Sequence, residues 1–489
     1  MSMPIDTTAG TGLPIAVLGA GPVGLAAAAH LHRHGLPFVI FEGAERVAEH
    51  VARVQHVRLF SPWRFNVDPV ARALLEQAGI DVPSDEQLPS AGELIERYLR
   101  PLSELPAIAE RLRLSHRVIA IARRGHDKVL GRGREAAPFL LRVDTPSGER
   151  EWQVQAIVDA TGTWGQPNAL AAHGLPALGE ALAQQRIAYG MPDVLGTERN
   201  RYAGRRTLVV GAGHSAAGNL LALVNLAREA PDTQVVWAVR GTDLRRLFGG
   251  AREDGLSARG ALGQGLREQV EQGAIELHTG FGIAELVQVG EGLRVQALDA
   301  TRAPIEAVDQ VIAATGSRPD LTLTRELRVR LDPWLESTDA LAPLIDPNEH
   351  SCGTVRPHGH RELAHAHEPG YYAIGAKSYG RAPNFLLATG YEQARSVAAA
   401  LAGDFAAADD VQLELPQTGV CSTDLRPQGP DSSAPSASSA GCCGGPPVVD
   451  ATACCVRDEH AKRTSGQGCG CGTAAKSPMP ARTEANHRA

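Results

Sequence analysis

The sequence predicts an α/β fold built from two similar strand–turn–helix units and closed by a separate cysteine-rich tail. Three observations carry that prediction. Strand-like and helix-like patterns alternate through most of the chain before Leu415. A glycine-spaced turn follows an apolar strand twice, in "IAVLGAGPVG" and in "TLVVGAGHSA". Six of the eight cysteines fall between Gly441 and Gly472, in a stretch rich in Pro, Ser and Gly.

At 489 residues the chain is long enough for two or three domains. Apolar residues make up 43% and charged residues 21%, the balance of a globular protein that buries a core. A net charge of -7 without a basic stripe gives no reason to expect nucleic acid as a partner. The basic residues are almost all arginine, with lysine only at Lys128, Lys377, Lys462 and Lys476. The opening "MSMPIDTTAGTGLPIAVLGAGPVG" has neither the charged start nor the apolar run of a signal peptide. No run of about 18 apolar residues suggests a membrane span. The expected location is therefore cytoplasmic, where thiols stay reduced and act as ligands or redox groups.

Taken in order, "IAVLGAGPVGLAAAAHLHRHG" reads as strand, turn and a helix ending near Gly35, and "FVIFE" as the next strand. A helical stretch follows from roughly Pro69 to Leu114, including "AGELIERYLRPLSEL". The strands "FLLRVDT" and "WQVQAIVDATG" precede the second unit, "TLVVGAGHSAAGNLLALVNLAREA", which continues into "QVVWAVR". The first domain resumes by "YYAIGAKSYG" and closes with the helix "GYEQARSVAAALAG". The expected organisation is a first domain in two parts, 13–165 and 319–403, interrupted by a second domain over 200–318. Beyond Leu415, "PQGPDSSAPSASSAGCCGGPP" lacks the residues to build a core, so 416–489 reads as a flexible, disordered cysteine-rich tail.

The chemistry of the first turn is that of a dinucleotide site. Gly19 allows the tight turn, Gly21 lets phosphates approach the backbone, and Gly24 lets helix and strand pack closely. Pro22 stands at the first helical position, and the helix N-terminus faces the negative charge. Glu42 ends the second strand, where a carboxylate binds ribose hydroxyls. In the second turn Gly211, Gly213 and Ala216 hold the motif positions, with Ser215 between them. Its second strand ends in Arg240 rather than an acid, which suits a 2′-phosphate and so NADPH over NADH; Arg245 and Arg246 lie close by in sequence. Both units are thus Rossmann-like.

With these motifs and the paired segments "DATGTWGQPN" and "AATGSRP", residues 13 to 403 resemble the two-dinucleotide-domain flavoproteins, above all the flavin-containing monooxygenases. The resemblance implies FAD in the first domain and NADPH in the second. It also implies that Gly162, Gly316 and Gly375 lie where the backbone passes the cofactors. Ala376 stands where relatives often place an Asp after that last glycine. Relatives that reduce disulfides carry a cysteine pair beside the flavin, whereas this chain has no cysteine before Cys352. The implied reaction is oxygenation: a flavin hydroperoxide, formed with O2, gives one oxygen atom to a soft nucleophile. The monooxygenase fingerprint before the second glycine turn is incomplete, since "RIAYGMPDVLGTERNRYAGRRTLVV" contains no His.

In "HVRLFSPWRFN" the candidates to face the flavin are Arg58, Ser61 and Asn66, against the alternative of a buried loop packed through Phe60, Trp63 and Phe65. The segment "SCGTVRPHGHRELAHAHEPG" offers Cys352, His358, His360, His365 and His367, but at no common zinc spacing. In the tail, Cys442 and Cys443, Cys454 and Cys455, and Cys469 and Cys471 suit soft ions that take two or three thiolates. The paired cysteines and "TGVCSTD" resemble the flavin-dependent monooxygenases of bacterial arsenic-resistance clusters, which implies a small-molecule or metalloid substrate such as a trivalent arsenical. Two alternatives stay open. One is an NADPH-dependent reductase passing electrons to tail cysteines, and the other is a metal-sequestering protein. A homodimer is compatible with each.

Overall fold

Short apolar runs without a polar face suit strands covered on both sides, the condition met in a parallel sheet. The computed structural model describes residues 12–83, 86–242, 248, 256–350 and 355–413. In it these runs become β1 (Ile15–Leu18), β2 (Phe38–Phe41) and β7 (Ala156–Asp159), all fully buried. Contacts divide the chain into two bodies, Met1–Thr423 and Asp424–Ala489, and all described residues, both strand–turn–helix units included, belong to the first body. Every cysteine, together with Arg245, Arg246 and the tail 416–489, lies outside the described residues.

The first sheet has the parallel order β16-β7-β1-β2-β3, with β3 at Leu112–Arg113 and β16 at Tyr371–Ala373. Ile15 pairs with both Phe38 and Ala156, which sets the register at the centre. One face carries the helices Pro22–Arg33 and Leu387–Leu401. These two approach so closely that a Cβ at Gly390 would stand 2.5 Å from Val23 Cγ2. The other face carries an antiparallel meander of β4 (Arg117–Arg123), β5 (Phe139–Thr145) and β6 (Gly148–Val154). Phe139, Leu141 and Val143 point inward from β5, and Phe41 meets Trp152 edge-on at 5.1 Å.

The second sheet repeats the plan as β11-β10-β9-β15-β8, all parallel. Its strands are β8 (Ile187–Tyr189), β9 (Arg206–Val210), β10 (Gln234–Ala238), β11 (Glu276–His278) and β15 (Gln310–Ala313). The helices His214–Glu229 and Ser257–Glu271 belong to the same unit. A second meander, β12 (Ile283–Val289), β13 (Gly292–Ala297) and β14 (Ile305–Val308), packs into its core. Of the first meander, the expected strand "FLLRVDT" is β5 and "WQV" closes β6, while β4 and the whole second meander are not among the elements expected from sequence.

The helical stretch expected over Pro69–Leu114 is broken into pieces. The helix Pro69–Gln77 is capped by Asp68, and a new helix starts at Ser90 with a Ser90–Glu93 capping box. Ile95–Leu99 forms a π-turn leading to Arg100–Glu104, and Pro106 opens another short helix after an extended Leu105. Pro101 and Pro106 lack the N–H that a continuous helix needs.

A buried ion triad ties the meander to the return segment. Glu368 accepts hydrogen bonds from Arg123 Nε and Arg134 Nη1, each at 2.7 Å, and from the Arg328 N–H at 2.7 Å. The Arg123 guanidinium also lies 3.5 Å from the Phe139 ring centroid. Burial alone would raise the Glu368 carboxyl, but the Arg328 N–H and the two guanidiniums outweigh it and hold the pKa below the usual range. A carboxylate with a depressed folded pKa adds stability that is present above its unfolded value and lost as the pH falls through the folded one. Glu368→Gln leaves two buried guanidiniums without a counter-charge. The expected loss is about 3–5 kcal/mol in urea unfolding at neutral pH, with a flatter acid limb than the wild type.

Candidate functional site

The first glycine turn has the shape a pyrophosphate requires. Gly19 adopts φ +93°, and a Cβ there would stand 2.9 Å from the Ala160 carbonyl oxygen. A Cβ on Gly24 would stand 1.9 Å from the Gly19 oxygen, so the helix sits directly against the turn. Gly21 is different: nothing lies within 4 Å of its Cβ position, which leaves its backbone open to a phosphate. Pro22 occupies the first helical position. Glu42 accepts from the Ala20 N–H at 2.8 Å and the Ala44 N–H at 2.9 Å, so its carboxylate is fixed beside the turn, where a ribose edge would reach it.

The second turn repeats the geometry. Gly211 adopts φ +136°, with a Cβ position 2.2 Å from the Ala314 oxygen, and its own carbonyl accepts from Trp237 Nε1 at 2.8 Å. Gly213 faces open space, Ala216 is fully buried in the third motif position, and Ser215 is half-buried in the first turn of the helix. Arg240 is exposed beyond the end of β10, with Nη1 donating to the Ala172 carbonyl at 3.0 Å. The residues present therefore fit two dinucleotides.

The two Ala-Thr-Gly segments bind to each other as well as to the turns. The Asn168 N–H donates to the Gly316 oxygen at 3.0 Å, and Asn168 Nδ2 donates to the Thr315 oxygen at 3.1 Å. Thr315 Oγ1 donates back to the Asn168 oxygen at 2.6 Å, and Ser317 Oγ donates to Thr163 Oγ1 at 2.8 Å. Gly162 and Gly316 sit in this clasp with φ +70° and +82°. Asn168 closes the motif "DATGTWGQPN", but its role depends on the second segment and is not apparent from the first alone.

Gly375 turns at φ +70° against Val23 of the first helix, and its N–H is taken by Gln393 Oε1 at 2.7 Å. Gln393 Nε2 lies 3.1 Å from His358 Nε2, whose other ring nitrogen faces the Arg356 carbonyl at 2.8 Å. That pairing makes Nδ1 the protonated nitrogen and Nε2 the acceptor, and burial lowers the His358 pKa to favour this neutral form. Two residues beyond Gly375, the buried Lys377 ammonium donates to Asp159 Oδ2 at 2.6 Å and Thr161 Oγ1 at 3.0 Å. Tyr371 OH donates to the same Asp159 Oδ2 at 2.9 Å, and Thr161 Oγ1 to Oδ1 at 2.7 Å. Burial would raise the Asp159 carboxyl, but the Lys377 ammonium overrides it and the pKa falls. Sequence reasoning missed this cluster, although a lysine in a chain that otherwise uses arginine was a signal.

The loop from His56 to Asn66 separates its three candidates. Ser61 and Asn66 come together: Ser61 Oγ donates to Asn66 Oδ1 at 2.9 Å, and Asn66 Nδ2 donates to the Ser61 and Pro62 carbonyls. Tyr391 OH donates to the Asn66 carbonyl at 2.7 Å. Arg58 stands apart, exposed, with Nη1 on the Leu88 carbonyl and 3.7 Å from Glu93. Trp63 is buried, while the Phe60 ring lies 5.2 Å from His214 at the start of the second-unit helix. Ser61, Asn66 and Trp63 thus pack within the loop, and the Phe60 ring meets the helix that follows the second glycine turn. Among the described residues, no group of three or more His, Cys, Asp or Glu side chains could hold a metal ion. The six tail cysteines lie outside the described residues.

The model of the pyridine nucleotide-disulphide oxidoreductase family matches residues 13–339. No curated protein matches the sequence. Among solved structures, the bacillithiol disulfide reductase of Bacillus cereus is 18% identical and covers 80% of this chain and 99% of its own, with a TM-score of 0.59. The cadaverine monooxygenase DfoA of Erwinia amylovora is 16% identical, covering 86% and 100%, with a TM-score of 0.54. A flavin-containing monooxygenase from Stenotrophomonas maltophilia is 20% identical, covering 81% and 100%, with a TM-score of 0.51. At these identities the likeness concerns the fold. Among the described residues no helix is long and apolar enough to cross a membrane.

Two substitutions in the first turn should have separable effects. Gly24→Ala drives a methyl into the Gly19 carbonyl, and the purified protein is expected to lose both stability and flavin absorbance. Gly21→Ala meets no protein atom, so the melting temperature of the flavin-free protein should hold while FAD affinity falls. Lys377→Met leaves Asp159 buried and unpaired, with an expected loss of about 3–5 kcal/mol; Lys377→Met combined with Asp159→Asn should recover part of it in the same denaturation assay.

Proposed function

Because the chain belongs to the pyridine nucleotide-disulphide oxidoreductase family, it is a flavoprotein oxidoreductase using FAD and NAD(P)H, and we propose that it is an NADPH-dependent monooxygenase acting on a soft nucleophile. The observation that carries this reading is the placement of cysteine. All eight lie at position 352 or beyond, so the glycine turns, the clasp and the loop over 56–66 contain no thiol to relay electrons as a disulfide. The fold does not choose between the options, since both a disulfide reductase and monooxygenases share it. FAD, when bound, accepts hydride from the nicotinamide and passes electrons to dioxygen.

The chain's own residues do the rest. The Gly19–Gly24 turn would hold the FAD pyrophosphate and Glu42 its ribose. The Gly211–Ala216 turn, Ser215 and Arg240 would hold NADPH. The clasp through Asn168, Thr315 and Ser317 keeps the two turns in register. Gln393 and Lys377 fix the Gly375 turn, and Ser61 and Asn66 lock the loop over 56–66. In this reading the substrate is a trivalent arsenical or a related soft nucleophile, gathered by Cys442, Cys443, Cys454, Cys455, Cys469 and Cys471. One feature favours a second reading, reduction through the tail: six thiols on the same chain as a flavoprotein of a disulphide-oxidoreductase family.

The test is NADPH oxidation and O2 uptake by full-length protein, with and without arsenite, in wild type and in a variant with the six tail cysteines changed to serine. Arsenite-stimulated NADPH loss, matched by O2 uptake and a pentavalent product, is the expected result. Turnover without O2 that vanishes in the serine variant would establish the reductase instead. Tight arsenite binding with negligible NADPH turnover would leave only sequestration.

A further inference from the structure

We infer that Arg302 supplies a second guanidinium, beside Arg240, for the 2′-phosphate of NADPH. This rests on the reading of the second glycine turn as an NADPH site, and it adds a residue from a part of the chain that the strand-end rule does not reach.

The segment 279–283 runs alongside the residues that follow β10. The Gly280 N–H donates to the Gly241 oxygen at 3.0 Å and the Phe281 N–H to the Val239 oxygen at 2.8 Å. It therefore borders Arg240, at the strand end where the adenosine ribose of a dinucleotide is read. Gly280 has φ +61°, and the space its side chain would fill is taken. A Cβ there would stand 2.7 Å from Arg302 Nη2, 3.3 Å from Arg302 Cζ and 3.3 Å from Thr242 Cγ2. The guanidinium thus lies over a glycine, next to a residue only two positions beyond Arg240.

Arg302 is anchored on that segment directly and Arg240 through a residue paired with it. Arg302 Nη1 donates to the Thr279 carbonyl at 2.8 Å. Arg240 Nη1 donates to the Ala172 carbonyl, and Ala172 is itself held by its N–H on the Ile283 oxygen at 3.0 Å. Among the described residues Arg302 Nη2 has no hydrogen-bond partner, and the side chain is 42% exposed. Asp299, 3.8 Å from Arg302 Nε, is the one acid among the described residues that pairs with either guanidinium. Two cations held beside one short segment repel each other, and a dianion between them removes that cost. A guanidinium anchored by one edge presents its remaining N–H groups to a phosphate in a fixed fork.

Arg302 comes from the turn between β13 and β14, carried to this point by the Leu298 N–H on the Gly282 oxygen at 2.6 Å. The second meander thus contributes to the cofactor site in addition to filling the core.

The test compares adenosine 2′,5′-bisphosphate with AMP as ligands of full-length wild type, Arg240→Ala, Arg302→Ala and Arg302→Gln, by calorimetry. Arg302→Gln keeps a donor for the Thr279 carbonyl and guards against a folding defect in the alanine variant. The expected result is a loss of about tenfold or more in bisphosphate affinity for either Arg302 variant, with AMP affinity unchanged. KM for NADPH should rise in parallel, with KM for NADH and kcat held. Wild-type bisphosphate affinity in both Arg302 variants, alongside a loss in Arg240→Ala, would overturn the role of Arg302 alone. A wild type that does not separate the bisphosphate from AMP would overturn the NADPH reading and this inference with it.

Discussion

The arrangement depends on one clasp, the hydrogen bonds that join "DATGTWGQPN" to "AATGSRP". Ala160 closes against Gly19 and Ala314 against Gly211, so each segment serves as the floor of one glycine turn. Asn168, Thr315 and Ser317 then tie the two floors together. Hydride transfer between two bound cofactors tolerates little error in distance and angle. A clasp made of backbone and short side chains has few rotamers to lose and so holds that geometry at low entropic cost.

Around the clasp, buried charge is used where position matters most. Lys377 and Asp159 join the turn after β16 to the end of β7, and Thr161 passes the connection on to the clasp. A buried pair of this kind costs desolvation and contributes little net stability, but it tolerates only one arrangement. Glu368 with Arg123 and Arg134 fixes the first meander to the return segment in the same way. Gln393, oriented by a neutral His358, uses no charge at the Gly375 N–H.

Much of this frame is legible in the sequence, and the reasons differ residue by residue. Gly19, Gly21 and Gly24 are readable because their demands are local: a positive φ, an open face and a close contact all fall within one turn. Glu42 and Arg240 follow from the strand that each one ends. Lys377 and Asp159 stand 218 positions apart, and only the pairing of β16 with β7 brings them together. Arg302 is hidden for the same reason. For Ser61 and Asn66 the sequence suggests chemistry, because they are polar residues in a loop near a cofactor, whereas their hydrogen bonds to each other are visible only in the folded loop. The helical run over Pro69–Leu114 misled because its apolar spacing continues past Gly79, where φ is +77°, and past the extended Leu105 before Pro106, where the backbone breaks.

Pro167 and Ser317 pair as neighbours where the chain leaves the first unit and returns to it. The second unit is therefore a closed insertion whose two ends meet. For the growing chain this matters, because β7 must wait for β16, which is made only after the whole insertion. Once the insertion folds and its ends join, the remaining gap behaves as a much shorter loop, and the entropy of closing it drops accordingly. The same geometry makes the inserted unit an exchangeable module, replaceable between neighbouring ends without opening the sheet that receives it.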